Sequence, residues 1–439
     1  MAEEFGLLPQ ELDYLREEPI QKEILDVWEE EVQVTPNEAD GKNVLISVPK
    51  SDSYTALHNS YLVVSCKVTK PDNQACDHVH VTDPDKVCVV NNFAQSLWRN
   101  VKVEVNGVVV EDTNDLHPYR GYLEALFNYN SKVLEKRGSL FGWAKDTSSK
   151  LDKNIKGAGN QGMDHRTKPF MSSATVTLVS KLSCDMMEEK LYLPPNWDVI
   201  LRLDRSPNSF ALIAGAETIA YEVHITSLKL FVQRVGIRDE LVEAHKKLFA
   251  SLPQNTLRYP ARRIAMKKHV IPPTVMNHSL VLSESASIPD RILVAFISKT
   301  ACAGMYAENP FNLMHKSVNK IQLEVSSAKV PRVAFEPDFS KPNGYIREFY
   351  ATLAAVGAHE GNSTITLTSD EYAHGFTVFS FCLGPRREHG ALLGAQRTGK
   401  VVLNLAFAEA SADSFEVVVL AETRSHFEFT HALRKPLSA

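Results

Sequence analysis

The chain has 439 residues, of which 44% are hydrophobic and 23% charged, with a formal net charge of -5; these are ordinary globular values that exclude bulk disorder and suit two or three domains at roughly 150 residues each. The charge is uneven: residues 1–41 hold 13 acidic and 2 basic side chains, whereas the rest hold 40 acidic and 46 basic, so a -11 segment precedes a +6 body. The acidic start, "MAEEFGLLPQELDYLREEP", reads as neither a secretory signal nor a transit peptide, and no run of 18 apolar residues predicts a transmembrane helix.

In chain order, the charge asymmetry predicts an acidic N-terminal arm over 1–41. Period-two alternation then predicts strands near 43–49, 61–69, 86–91, 100–105 and 108–112. Asn106-Gly107 supplies the two positive-φ residues of a type I′ hairpin between the last two. A helix follows, with Tyr122, Leu126 and Tyr129 on one face. Residues 139–170 are rich in Gly, Lys and Asp and almost unpatterned, which predicts a mobile surface loop. Strands return near 174–182, 198–204 and 221–235. Within 236–255, Leu241, Ala244, Leu248 and Phe249 fall near helical spacing and Pro253 stops the run, a linker helix between domains. The second half reads as strands near 262–270, 278–283, 291–298, 318–325, 375–383, 399–408, 414–422 and 425–430.

The halves echo each other. "SLWRNVKVEV…PYRGYLEALFNY" and "SVNKIQLEV…KPNGYIREFYATLAAV" each give a strand, a polar connection and a helix entered through Gly-Tyr, at Gly121-Tyr122 and Gly344-Tyr345. Short strands punctuated by Gly, Pro, Asn and Asp, without regular strand–helix alternation, point to antiparallel sandwiches. The predicted domains are the 1–41 arm, a first sandwich at 42–236, a linker helix at 237–258, a second sandwich at 259–432 and a tail at 433–439.

Chemistry is sparse. In "CDHVHV", Cys76, His78 and His80 share one strand face and could offer zinc a thiolate and two imidazoles. They also raise the idea of a His-x-His jelly-roll enzyme, but the stretch that follows offers Asp83 and Asp85 with no Glu or Gly at the needed places, and no partner motif follows. "GAQRTGKV", Gly394 to Val401, approximates a phosphate loop but has Val401 where a magnesium-holding hydroxyl belongs, and a strand follows instead of a helix. His224, His245, His269 and His374 are isolated, and neither a nucleophile elbow nor a catalytic-cysteine signature is present. "ARRIAMKKH" clusters Arg262, Arg263, Lys267, Lys268 and His269, either a nucleic-acid contact or import signal, or a strand edge guarded by charge. The six cysteines form no CxxC pair and read as reduced, mostly buried thiols. The sequence predicts no catalytic, cofactor-binding or metal residues and no cofactor.

Taken together, "SLWRNVKVEVNGVVVEDTNDLHPYRGYLEALFNY", "LVEAHKKLFASLPQNTLRYPARRIAMKKHVIPP", "YAENPFNLMH", "PDFSKPNGYIREFYATL", "YAHGFTVFSFCLGP" and "GKVVLNLAFAEA" resemble the double jelly-roll major capsid proteins of Polinton/Maverick elements and adintoviruses. The resemblance runs through roughly 43–430 and departs in the acidic arm, the 139–170 loop and the final "RSHFEFTHALRKPLSA". It implies an all-β protein of two tandem jelly-roll β-sandwiches with a few short helices. It implies a non-enzymatic shell protein, a homotrimer of pseudo-hexagonal outline that meets neighbouring capsomers, penton and minor capsid proteins, and encloses double-stranded DNA indirectly. The implied location is the virion, assembled inside the host cell, the nucleus included. The alternatives are a two-domain β-sandwich binding module for carbohydrate or protein, and a jelly-roll metalloenzyme built on Cys76, His78 and His80.

Overall fold

The computed structural model describes residues 21–76, 87–152, 159–214, 220–251, 256–284, 286–356, 367–384, 397–430 and 435–437. The first half carries β1 (Ile24–Val34), β2 (Asn43–Val48), β3 (Tyr54–Thr69), β4 (Val87–Val89), β5 (Trp98–Val105), β6 (Val108–Asp112), β7 (Val176–Ser180), β8 (Val199–Arg205), β9 (Leu212–Ala214) and β10 (Glu222–Ile237). The second carries β11 (Thr256–Ile271), β12 (Asn277–Ser283), β13 (Arg291–Ser298), β14 (Val318–Val325), β15 (Ala328–Phe335), β16 (Val378–Cys382), β17 (Val401–Phe407), β18 (Phe415–Thr430) and β19 (Lys435–Leu437). Three helices matter below: α1 (His117–Asn128), α2 (Asp239–Ser251) and α3 (Ile346–Ala355).

The sheets establish the internal repeat. The first half forms two four-stranded sheets ordered β1-β10-β3-β7 and β2-β8-β5-β6; the second forms β11-β18-β13-β16, with β19 added beside β18, and β12-β17-β14-β15. Omitting the small β4–β9 pair and β19, each half has eight strands in the same two-sheet order, with every pairing between them antiparallel. That is two jelly rolls in tandem, each with a helix between its fifth and sixth strands.

Alternation explains most strands. On β2, Val44, Ile46 and Val48 are buried while Asn43, Leu45 and Ser47 are exposed, and a one-residue slip would invert that set. The hairpin turns at Asn106 (φ 51°) and Gly107 (φ 78°), the positive-φ pair expected of that dipeptide. Barrel two has its own dry core, where Phe296 from β13 meets Phe379, Phe407 and Phe415 edge-on or tilted at centroid distances of 5.8–6.3 Å.

Three readings need correction. The segment 1–41 is not an arm throughout: β1 lies inside it and pairs with β10 from Ile24↔Ile237 to Val34↔Leu228. Its acidity suits an edge strand whose Glu30 pairs with buried Arg234 (2.7 Å) and whose Glu31 pairs with Lys229 (2.8 Å). Residues 1–20 lie outside the described residues. The second correction is β15, "AKVPRVAF", another edge strand; its charges and its proline disguise it. The third is the 139–170 loop. Trp143, Leu151, Met163 and Phe170 are buried, and Arg166 pairs with buried Asp146 at 2.7 Å. Residues 414–422 and 425–430 are one continuous strand, β18. The linker helix appears as α2.

A chain starting at residue 36 loses β1, which bares the β10 edge and leaves Arg234 without Glu30. It is expected to melt several degrees lower and to aggregate on warming, followed by circular dichroism and light scattering.

Candidate functional site: the seam between the barrels

β13, "RILVAFIS", is apolar at every interior position because both its faces are dry. Ile292, Val294 and Phe296 point into the core of barrel two. Leu293, Ala295 and Ile297 point the other way, into a cluster continuous with the core of barrel one, and Met266, Val418 and Leu420 join them from β11 and β18. The core of barrel one thus extends across the seam onto the outer side of β13, while barrel two keeps a separate inner core.

The surface of barrel one that covers this sheet comes from α1, the 139–170 segment and the connections around β8 and β9. Phe311, fully buried, stacks on Tyr122 from α1 (4.4 Å between centroids) and meets Tyr119 and Phe210 edge-on at 5.7 and 6.2 Å. At the far end Trp197 packs on Phe429 (5.0 Å) and Tyr259 (6.3 Å). Backbone groups cross as well: the Ala214 N–H donates to the Tyr306 carbonyl (2.7 Å), and the Ser149 N–H donates to the His374 carbonyl (3.1 Å). The Asp152 carboxylate accepts from the Asn309 N–H (2.8 Å) and from the Asn312 amide. Gly375, at φ 107°, adopts a backbone conformation that L side chains rarely enter and lies against Leu151, so glycine suits this approach.

A buried charge cluster fixes one end of the seam. Arg120, on α1 and 1% exposed, donates to Glu111 on β6 (2.7 Å), to Asp185 (2.7 Å) and to Glu124 (3.3 Å). Glu111 also accepts the N–H groups of Asp185 and Met186 at 2.7 and 3.1 Å. The second Asp185 oxygen accepts the N–H of Ile264 on β11 at 3.0 Å, with Arg263 at 3.5 Å. One carboxylate therefore bridges the barrels. Burial, with Glu111 beside it, pushes Asp185 up to about 7, against the pull of Arg120. Burial and Glu124 also raise Glu188. Three carboxylates around Arg120 exceed its charge, so retaining a proton there relieves the excess.

The residues singled out from sequence do not assemble into a catalytic centre. Cys76 is buried and its N–H donates to Ser173 Oγ (2.9 Å), while His78, His80, Asp83 and Asp85 lie outside the described residues. Among the described residues no three His, Cys, Asp or Glu side chains cluster to hold a metal. His224 contacts Asp40 and Glu222, His245 contacts the Tyr54 hydroxyl at 2.7 Å, and His374 contacts the Asp370 carbonyl at 2.8 Å. The basic cluster lies on β11, where Arg262 faces Glu422 (3.4 Å), Lys268 faces Glu416 (3.6 Å), Arg263 lies over the Phe427 ring and Lys267 donates to the Leu282 carbonyl. Its charges are tied to the sheet. Of the phosphate-loop mimic, Gly394 lies outside the described residues, and Val401 opens β17. Trp98 and Trp143 are buried and Trp197 is packed into the seam, so they form no exposed aromatic ladder for sugars. Sequence reasoning missed Arg120, Asp185 and Phe311; the apolar run of β13 was the available sign of a doubly covered sheet.

Comparison with known proteins agrees with this architecture. The chain superposes on the Sputnik virophage structure with a TM-score of 0.61 at 11% identity, covering 99% of this chain and 92% of that one. This is the double jelly-roll fold. The PBCV-1 virus capsid (TM-score 0.57, 11% identity, 96% and 99% covered) and the Faustovirus major capsid protein (0.55, 9% identity, 95% and 93%) share it. No family model matches the sequence. An uncharacterized protein of Caenorhabditis elegans is 20% identical over 409 residues, 91% of this chain and 94% of that protein. No helix among the described residues is long and apolar enough to cross a membrane.

Arg120→Met strands three buried carboxylates and is expected to cost about 3–5 kcal/mol of stability, read from urea denaturation. The raised Asp185 titrates with a defined sign. The native state holds a proton that the unfolded chain releases near 3.8, so this contribution is full below that value and is lost as pH rises through about 7. Asp185→Asn should remove the fall in melting temperature between about pH 4 and pH 7; an unchanged fall assigns it to another group.

Proposed function

We propose that this chain is a structural major capsid protein, that three copies join into a pseudo-hexagonal capsomer, and that capsomers tile an icosahedral shell around double-stranded DNA. The observation that carries the reading is the continuous seam: the core of barrel one runs onto the outer side of β13, whose other side lines the core of barrel two, so the two jelly rolls are fused flank to flank. Such a body is stiff, and a shell tile must transmit load without hinging. The matches to capsid chains over almost their full length support the same reading. In this role the protein acts through its surfaces and performs no catalysis. Its partners are further copies, penton and minor capsid proteins, and its place is the virion.

The sandwich-module alternative lacks an observation in its favour, since the three tryptophans weighed for sugar binding are absorbed into packing. The double jelly roll with a Polinton-like or adintovirus-like lineage remains part of the proposal and is supported by the sequence resemblance. The test is negative-stain microscopy of the purified full chain across protein and salt concentrations. Hexagon-outlined particles and closed shells are expected. Compact single-chain particles under every condition would defeat the reading.

A further inference from the structure

At one end of the seam a single stretch of barrel two, residues 309–318, holds onto barrel one. Asn309, 1% exposed, donates its backbone N–H to Asp152 and its side-chain amide to the Leu151 carbonyl (3.2 Å). Phe311 then stacks on Tyr122. The Leu313 N–H donates to the Gly375 carbonyl at 2.9 Å, and the Leu313 carbonyl accepts from the Thr377 N–H at 3.0 Å. Past His315 the chain turns into β14 through Lys316 (φ 47°) and Ser317 (φ 49°), two successive non-glycine residues in the left-handed region. Such a pair is costly for L residues and persists only where its surroundings hold it.

His315 is what holds it. The Ser317 N–H donates to the ring Nδ1 at 3.0 Å, and the Val318 N–H donates to the His315 carbonyl at 3.0 Å. The half-buried ring lies flat on Phe339, with 4.2 Å between centroids and 14° between planes, and Phe339 stacks on Tyr345 in turn. Because an N–H points at Nδ1, that nitrogen presents its lone pair and the single ring proton sits on Nε2. A doubly protonated imidazole has two donors and no acceptor. The surroundings oppose that charge as well: burial, then His374, then Lys316 push His315 below the usual histidine range. His374 is itself held by the Asp370 carbonyl (2.8 Å), and Lys316 feels the carboxylates of Asp413, Glu308 and Asp152. Beside Phe339, Asp338 is engaged by Lys341 (2.7 Å) and Ser340.

We infer that His315 is an acid-operated latch on the stretch that carries Phe311: a proton taken up at Nδ1 removes the acceptor of the Ser317 N–H, the left-handed turn opens, and Phe311 loses its fixed seat on Tyr122. The closed latch holds a neutral ring, whereas the open stretch takes up a proton near the ordinary histidine value of about 6.5. The stabilisation is therefore full above that value and is lost as pH falls below it. Opening rises by up to about tenfold for each pH unit of acidification, until the closed ring also titrates. Acid thus loosens this end of the seam, while Trp197 on Phe429 still joins the barrels at the other. The response runs opposite to that of Asp185, so it is read locally and not from melting temperature.

The test is hydrogen exchange of the full chain, followed by mass spectrometry and corrected for the intrinsic exchange rate at each pH. Between about pH 7 and pH 5, peptides covering 309–318 should exchange about tenfold faster or more. In His315→Asn the side-chain oxygen replaces Nδ1 as acceptor and cannot be protonated, so the same peptides should show no rise. Nitrogen-15 spectra of the histidine-labelled parent check the closed state without any variant: at neutral pH His315 should carry its proton on Nε2. A parent whose 309–318 exchange is unchanged by acid, a variant that rises as the parent does, or a His315 proton on Nδ1 each overturns the latch.

Discussion

Strand β13, inside the sheet β11-β18-β13-β16, has no wet face, and the placement of the two barrels follows from that. A jelly roll needs only one side of each sheet to be apolar. Here Leu293, Ala295 and Ile297 add a second apolar side, which cannot stay in water without a cost of about 1.5–3 kcal/mol for each large side chain. Among the described residues, barrel one supplies that cover. The orientation is then fixed by groups that hydrophobicity alone cannot align, chiefly the Asp185 carboxylate on the Ile264 N–H and the Asp152 carboxylate on Asn309.

Polar and apolar parts of the seam divide the labour. Aromatic packing around Phe311 and Trp197 supplies area and tolerates some sliding, whereas the cluster around Arg120 is satisfied in one register only. Buried ion networks contribute little net stability against an apolar replacement, but a displaced register leaves charges stranded. The charge cluster thus selects the register, while the apolar contacts hold it.

Much of this was legible in the sequence, and the failures have physical causes. Central strands such as β8 and β17 alternate cleanly because one side is wet. The Asn106-Gly107 turn declares its backbone conformation. β1 and β15 escaped notice because edge strands carry charge and proline that central strands exclude. The 139–170 segment looked like a loop because its anchors, Trp143, Leu151, Met163 and Phe170, follow no period. They fill irregular positions of the barrel-one cluster, Phe170 against Phe93, Trp143 against Tyr122 and Leu151 against Gly375, and so obey local shape and no period. Asp185 lies 65 residues from Arg120 along the chain, and only the folded sheets bring it to the Arg120–Glu111 pair.

The continuity of the first core with the seam has a consequence for synthesis. When β10 leaves the ribosome, barrel one has all its strands, yet Tyr119, Tyr122 and Phe210 still lack Phe311. At roughly 5–20 residues per second, the remainder of the chain takes on the order of ten to forty seconds to arrive. During that interval the nascent protein displays a greasy wall with no cover. Cells that make it in quantity need holdase capacity at the polysome, before any assembly begins.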